Sequence, residues 1–434
     1  MEFGLAIPAL FLHHFIHRVL IMARIETSSI SSGFPAQRAA HERGNILRLA
    51  TAQALAGANS TVLYATGAIV GHMLAPNKAL ATLPISIFVV GMAAGTLPAG
   101  AIARRYGRRA AFLTGTGCGV LTGLLSSLAV VLGSFWLFCV ATFLGGIYGA
   151  VVLSFRFAAA DCVPTERRAR ALSAVMAGGV FSGVIGPQLV THTMDLWQPY
   201  LFAATFLGQA AVAALSTLVL WGVRLPLPSQ AEAAGARPLK SIITQLRFVT
   251  AVICGATSYM LMNFLMTAAP LAMHICGIST EMSDLGIQWH VIAMYAPSFF
   301  TGRLITRYGA ARVVAGGLVL LAGSVAVGLM GIEIMHFWLS LILLGLGWNF
   351  AFLGASAMIL ECHTPAERTR VQSLNDFIVF GLMAVGSFFS GGLLTSYGWN
   401  IVLWVSLVPL LIAAAALISR VLSKIDEPIQ EAKS

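Results

Sequence analysis

Twelve apolar runs, each long enough to cross a bilayer, constrain this chain more than any other feature. They lie near 47–73, 79–102, 110–131, 135–157, 171–192 and 199–222. After a polar stretch at 223–247, six more lie near 248–274, 282–303, 311–331, 335–357, 372–396 and 399–421. About 20 apolar residues span the hydrocarbon core as a helix. Inside that core a helix satisfies every backbone hydrogen bond within its own segment, and Gly and Pro are tolerated better than in soluble helices. The expected fold is an all-α membrane protein with twelve transmembrane helices in two six-helix bundles. Composition agrees, since 58% of the 434 residues are hydrophobic and 10% are charged, against about 25% charged in soluble domains. That is too little polar surface for a soluble enzyme or a nucleic-acid-binding domain.

The basic residues set the orientation. Of 26 Lys and Arg, 24 fall before the first run, in every second connection or in the tail, leaving Lys78 on the other side and Arg156 inside the fourth run. By the positive-inside rule both termini and the basic connections are cytoplasmic. The net charge of +10 then follows from topology and needs no nucleic-acid partner. The expected division is a cytoplasmic leader at 1–46, an N-terminal bundle at 47–222, a cytoplasmic linker at 223–247, a C-terminal bundle at 248–421 and a tail at 422–434. Within the leader, residues 1–24 are apolar, short and broken by three histidines, and a polar tract follows Met22. Met22 is therefore the expected start, with 1–21 an artefact of the gene start. The six cysteines form no C-x-x-C, and no H-E-x-x-H is present. No catalytic residue, metal or cofactor is expected, and the chain is not expected to be an enzyme.

The halves repeat at an offset near 200. Gly100, Arg105, Tyr106, Gly107, Arg108 and Arg109 after run two find Gly302, Arg307, Tyr308 and Gly309 after run eight. Pro164-Thr-Glu-Arg167 after run four finds Pro365-Ala-Glu-Arg368 after run ten, and Asp161-Cys162 finds Glu361-Cys362. Duplicated bundles of this kind bind solute near the midplane between them.

The G-x-x-x-x-R-x-G-R-R segment at 100–109, its partial copy at 302–309, the P-x-E-R stretches and the six-plus-six layout resemble the major facilitator superfamily over residues 46–422. The resemblance implies alternating access in a bacterial inner membrane by a monomer carrying a small organic solute. Arg104 stands where the family's loop motif has an acidic residue, so gate work is expected to fall on Arg105, Asp161, Glu361 and Asp376. The arginine common midway along run four is absent, with Thr142 near its place. Gly347-Trp348-Asn349-Phe350 and Gln372-Ser-Leu-Asn375-Asp376-Phe377 resemble a bacterial subgroup, and the whole chain resembles the riboflavin importers of that superfamily. Gly179-x-x-x-Gly183-x-x-Gly186-Pro187 partly resembles the motif of drug/proton antiporters, so proton-coupled efflux of drugs or metabolites is the alternative.

Polar side chains at membrane depth are costly and tend to face cavities or other helices. Gln53, Gly57, Ser60 and Tyr64 share one face of run one, with Asn59 beside it. The expected substrate contacts are Asn59, Tyr64, Tyr148, Tyr259, Asn263, Trp289, Trp348 and Asn349, because rings and amides suit a planar, uncharged, hydrogen-bonding solute. All acidic residues fall in loops or at run ends, and Asp376 is expected where run eleven begins. Arg156 is expected to snorkel or to pair with Asp161. That leaves His290, which titrates near neutral pH, as the candidate for proton coupling; facilitated diffusion is equally open.

Overall fold

The computed structural model describes residues 33–77, 80–225 and 237–431, all of it helical or connecting segments. The expected artefact at 1–21, Lys78 and the end of the tail at 432–434 lie outside the described residues. The N-terminal half comprises α1 (Gly33–Leu74), α2 (Leu83–Tyr106), α3 (Arg108–Leu132), α4 (Phe135–Asp161), α5 (Arg168–Ala177), α6 (Gly179–Thr193) and α7 (Ala203–Trp221). A short α8 (Leu239–Ile243) follows the linker. The C-terminal half comprises α9 (Leu246–Ile275), α10 (Thr280–Tyr295), α11 (Ser298–Tyr308), α12 (Ala310–Met330), α13 (Ile334–Leu360), α14 (Arg368–Tyr397) and α15 (Trp399–Glu431).

These helices make twelve spans, because α5 with α6 and α10 with α11 are each one span broken in the middle. Ten spans are long and apolar enough by themselves. The other two explain why they fall short. Gln53, Asn59, Ser60 and Tyr64 dilute α1, and the two-residue break at Ala296 and Pro297 leaves α10 and α11 as separate helices of 16 and 11 residues, whereas Gly178 alone leaves α5 and α6 one continuous segment. The breaks have local causes. Gly178 follows α5, and its bare Cα lies so close to the Ala50 carbonyl of α1 that a Cβ there would collide with it, and Pro297, lacking an N–H, interrupts the ladder between α10 and α11.

The repeated loop motif has a physical reading. Gly107 and Gly309 both turn the chain at positive φ, 87° and 84°, a region that L side chains avoid. The partner glycines serve close approach instead. A Cβ on Gly100 would collide with Ser373 of α14. One on Gly302 would sit 2.8 Å from the Ser173 Cβ of α5. So α2 packs against α14 and α5 against α11, each contact joining the two halves near the basic connections. Ser173 Oγ completes the second contact, donating to the Ser298 carbonyl at 2.6 Å and accepting from the Gly302 amide at 3.0 Å.

Candidate functional site

The centre of the molecule is an aromatic lattice in the C-terminal half with a charged floor that crosses to the N-terminal half. Tyr259 of α9 makes edge contacts with Trp348, Phe352 and Phe380 at centroid distances of 5.4, 5.0 and 5.5 Å. Trp348 and Phe352, one helical turn apart on α13, stack at 5.2 Å and 17°. Tyr295, at the end of α10, closes on Trp348 at 5.6 Å. Trp348 is fully buried, and its indole N–H has no hydrogen-bond partner among the described residues. One turn beyond Tyr259, the Asn263 carbonyl oxygen accepts from the Tyr64 hydroxyl of α1 at 3.2 Å, while its amide nitrogen is buried without a partner among the described residues. Tyr64, Tyr259, Asn263 and Trp348 are therefore brought together, with two donors unused.

Arg156 forms the floor. It is 0% exposed, and its guanidinium lies 4.2 Å from the centre of the Phe157 ring and 4.7 Å from that of Phe352. Nη2 donates to Asp376 Oδ1 at 2.6 Å, Nε to Ser356 Oγ at 3.2 Å, and Nη1 to the Leu153 carbonyl. The expected pairing with Asp161 is corrected: Asp161 is taken by Arg108 at 2.5 Å. The expected position of Asp376 is corrected too. Because α14 starts at Arg368, Asp376 lies eight residues in, about 12 Å along the axis, and is 3% exposed. A polar sequence around it, R-T-R-V-Q-S-L-N-D, reads as loop but forms the first turns of the helix.

Above the basic connections lies a second polar layer. Arg108 of α3 reaches both Asp161 and Gln372 Oε1 of α14, each at 2.5 Å. Gln372 in turn donates to His363 Nε2 at 3.2 Å. Burial pushes the His363 ring below its ordinary pKa, which keeps that nitrogen free to accept. Arg105, expected to share gate work, is exposed and lies over the Tyr106 ring at 5.2 Å. Arg307 does the same over Tyr308, and Arg109 lies over Trp221. Glu361 pairs with Arg420 at 3.4 Å, inside the C-terminal half.

The remaining candidates fall elsewhere. Asn349 is fully buried; its amide donates to the Met294 carbonyl and to Ser298 Oγ at 2.6 and 2.7 Å, and its oxygen accepts from Thr301 at 2.7 Å. These bonds straddle the break between α10 and α11, so Asn349 holds that break in place. Tyr148 packs against Gly119 of α3, within the N-terminal bundle. The Asn59 backbone carbonyl accepts from Gln209 of α7 at 3.4 Å, and both atoms of its side-chain amide are buried without partners among the described residues. Trp289 is 48% exposed on the same face of α10 as exposed Leu285. His290 is buried, with Nδ1 2.7 Å from the Leu341 carbonyl of α13.

Twelve spans in two halves, joined across their middle by a buried ion pair under an aromatic lattice, define a multi-pass membrane transporter whose halves must part to let a solute through. Comparison with known proteins gives the family. The sequence matches the Major Facilitator Superfamily profile over residues 49–287 and 251–434, and the chain belongs to that superfamily. It is 46% identical to the riboflavin transporter RfnT of Brucella anthropi, an alignment covering 83% of this chain and 92% of that protein. It is 29% identical to the MFS-type transporter YdeG of Bacillus subtilis, over 85% and 90% of the two chains. Among solved structures, the proton:xylose symporter XylE superposes with a TM-score of 0.72 at 13% identity, over 88% of this chain and 96% of that one. At that identity the likeness is one of fold.

Proposed function

We propose that this chain imports riboflavin across the bacterial inner membrane by alternating access, with both termini in the cytoplasm. The observation that carries the reading is the 46% identity to a riboflavin transporter across 92% of its length. The chemistry of the central site supports it. The isoalloxazine ring of riboflavin is planar and uncharged, with carbonyls and an imide N–H on one edge. Tyr259, Trp348 and Phe352 offer faces and edges of matching shape, and offset or edge-on aromatic contacts stabilise such pairs. The unused donors of Asn263 and Trp348 suit ring carbonyls, since a buried donor without a partner is costly. Tyr64 brings the N-terminal half to the same place.

On this reading residues 47–222 and 248–421 are the two moving bundles, and the linker at 223–247 lets them rock. Tyr64, Tyr259, Asn263 and Trp348 bind the solute; Asn349 and Tyr148 hold the scaffold. Gly100, Gly107, Arg108 and Asp161, with Gly302 and Gly309, close the cytoplasmic side, Asn59 packs the N-terminal bundle, and Trp289 faces lipid. The chain acts as a monomer, needs no cofactor and catalyses no covalent step. The test is uptake of labelled riboflavin by cells unable to make the vitamin. Saturable, gene-dependent uptake is the expected result; correctly inserted protein giving none overturns it.

A further inference from the structure

At the basic-connection end of the N-terminal half, α7 ends, α3 begins and α1 enters its apolar run. The Asn45 side chain of α1 clasps the chain just past α7, donating to the Arg224 carbonyl at 2.6 Å and accepting from the Arg224 amide at 3.0 Å. About one turn along α1, the Arg48 guanidinium lies against Gly222, where a Cβ would sit 2.9 Å from Nε. Arg109, the second residue of α3, holds its guanidinium 5.2 Å from the centre of the Trp221 ring. Arg48 and Arg109 therefore converge on two adjacent residues. Among the described residues no carboxylate pairs with Arg48, Arg109 or Arg224; Glu42 is taken by Arg167 and Asp161 by Arg108.

Membrane topology does not by itself require this cluster, because the repeat sets Ala311 at the position of Arg109 in the other half. Trp221 is 63% exposed at the last residue of a membrane span, and Leu215 and Leu218 are exposed on the same side of α7. A tryptophan at a span end lies at the level of the lipid headgroups, and the two leucines then face acyl chains. We propose that this corner binds the headgroup of an acidic phospholipid. Arg48 and Arg109 take the phosphate oxygens, Arg224 adds charge, and an acyl chain lies along Trp221, Leu218 and Leu215. Guanidiniums match phosphate through forked pairs of N–H bonds, and basic pockets between membrane helices hold such headgroups. The bound lipid ties α1, α3 and α7 together and so stiffens this end of the N-terminal bundle without touching the other half.

The lipid site stands apart from the transport reading, and its test needs no solute. The purified full-length protein is placed in phosphatidylcholine nanodiscs. A minor share of the lipid is replaced by acyl-brominated phosphatidylglycerol or, separately, by acyl-brominated phosphatidylcholine. The signal of Trp221 is the fluorescence lost on Trp221→Phe, taken in each background. Brominated phosphatidylglycerol is expected to quench it several-fold more strongly, with sodium chloride shrinking the excess, since exposed charges are screened by salt. Arg48→Gln with Arg109→Gln is expected to lose the excess, and Arg48→Lys with Arg109→Lys, which keeps both charges, to retain part of it. Arg312→Gln removes an exposed cation at the same end of the other half and is expected to leave the excess intact. Equal quenching by the two lipids in the wild type overturns the proposal, whether or not any arginine variant folds. So does an excess that Arg312→Gln lowers as far as the double variant does, which marks a diffuse attraction to the whole basic face. An excess abolished by inorganic phosphate at an ionic strength where chloride spares it assigns the site to free phosphate and overturns the lipid.

Discussion

Arg156 Nε meets Ser356 Oγ at 3.2 Å, and the two residues are 200 positions apart, the same offset that relates Asp161 to Glu361. They are equivalent positions of the two repeats. In a duplicated fold, equivalent residues touch only where they lie beside the axis relating the halves. Arg156 therefore marks that axis, and it is there that the ion pair to Asp376 crosses from one half to the other. The duplication made the two positions neighbours, and divergence made one a cation and the other a hydroxyl that receives its hydrogen bond.

The pair predicts a non-additive pair of substitutions. Arg156→Leu leaves Asp376 buried without its counter-ion and should cost about 3–5 kcal/mol, the usual result of breaking a buried ion pair from one side. Arg156→Leu with Asp376→Leu removes both charges and should recover most of that loss, because the pair itself contributes little net stability once desolvation is counted. Thermal unfolding in detergent of both single variants and the double variant measures this. Additive losses in the double variant would show that the two side chains are not paired.

The close approach of α2 and α14 predicts a steric block with a specific rescue. Gly100→Ala places a methyl group against the Ser373 side chain, where a packed interface has no spare volume. The basic-side seal should fail to close and uptake should fall by an order of magnitude or so, about 1.4 kcal/mol of lost closure. Ser373→Gly in the same chain opens the space and should restore part of the rate. Uptake measured at matched membrane abundance checks both arms.

Much of this fold was legible in the sequence. Span number followed from hydropathy, and the six-plus-six layout from the loop motifs repeated around Arg105 and Arg307. The breaks at Gly178 and Pro297 were not, because Gly and Pro are ordinary inside membrane helices and a run of apolar residues looks the same whether continuous or broken. The depth of Asp376 was hidden for the opposite reason: the polar residues that precede it look like a loop, though they face the Arg108 layer as helix. Arg156 was visible as a charge within an apolar run, but its partner lies 220 residues away, and no local pattern carries that distance. Asp161 was the near candidate, and Arg108, reaching it from α3, took it.

Asparagine at two similar depths should behave in two ways. Asn349 has its donors and acceptor filled by Met294, Ser298 and Thr301. Asn349→Ala should lose about 1 kcal/mol or more per bond and appear as low yield and early melting. Asn263 keeps a donor without a partner among the described residues, one turn from Tyr259. Asn263→Ala should leave melting closer to wild type and raise the KM for the solute. Melting curves and uptake kinetics on both variants separate the roles, and equal KM effects would argue against this assignment.

The linker clasp sets an expectation for pH. The backbone N–H and the guanidinium of Arg237 donate to Glu367, with bonds of 2.7–2.9 Å. Arg237, aided by the Thr364 amide, holds the Glu367 carboxyl far below the usual carboxylate range. A carboxyl whose folded pKa is depressed contributes stability above its unfolded value of about 4.3, lost as pH falls toward the folded value. The clasp should therefore be constant between neutral pH and pH ~5 and weaken only in stronger acid. Glu367→Gln should remove that acid sensitivity and speed tryptic cleavage after Lys240, just beyond Arg237. Cleavage rates followed against pH test both.

His290 gives the last prediction. Its Nδ1 lies 2.7 Å from the Leu341 carbonyl and so carries the ring proton as a donor in the neutral form, while Nε2 is buried without a partner among the described residues. Both α10 and α13 belong to the C-terminal half, so charging the ring would not change any bond between the halves. A proton taken up there would also have to enter a site where Nε2 meets no polar group to pass it on. His290→Gln should therefore leave the pH midpoint of uptake where it is in the wild type, at whatever rate the variant retains. A midpoint that followed His290 would return coupling to the eighth span.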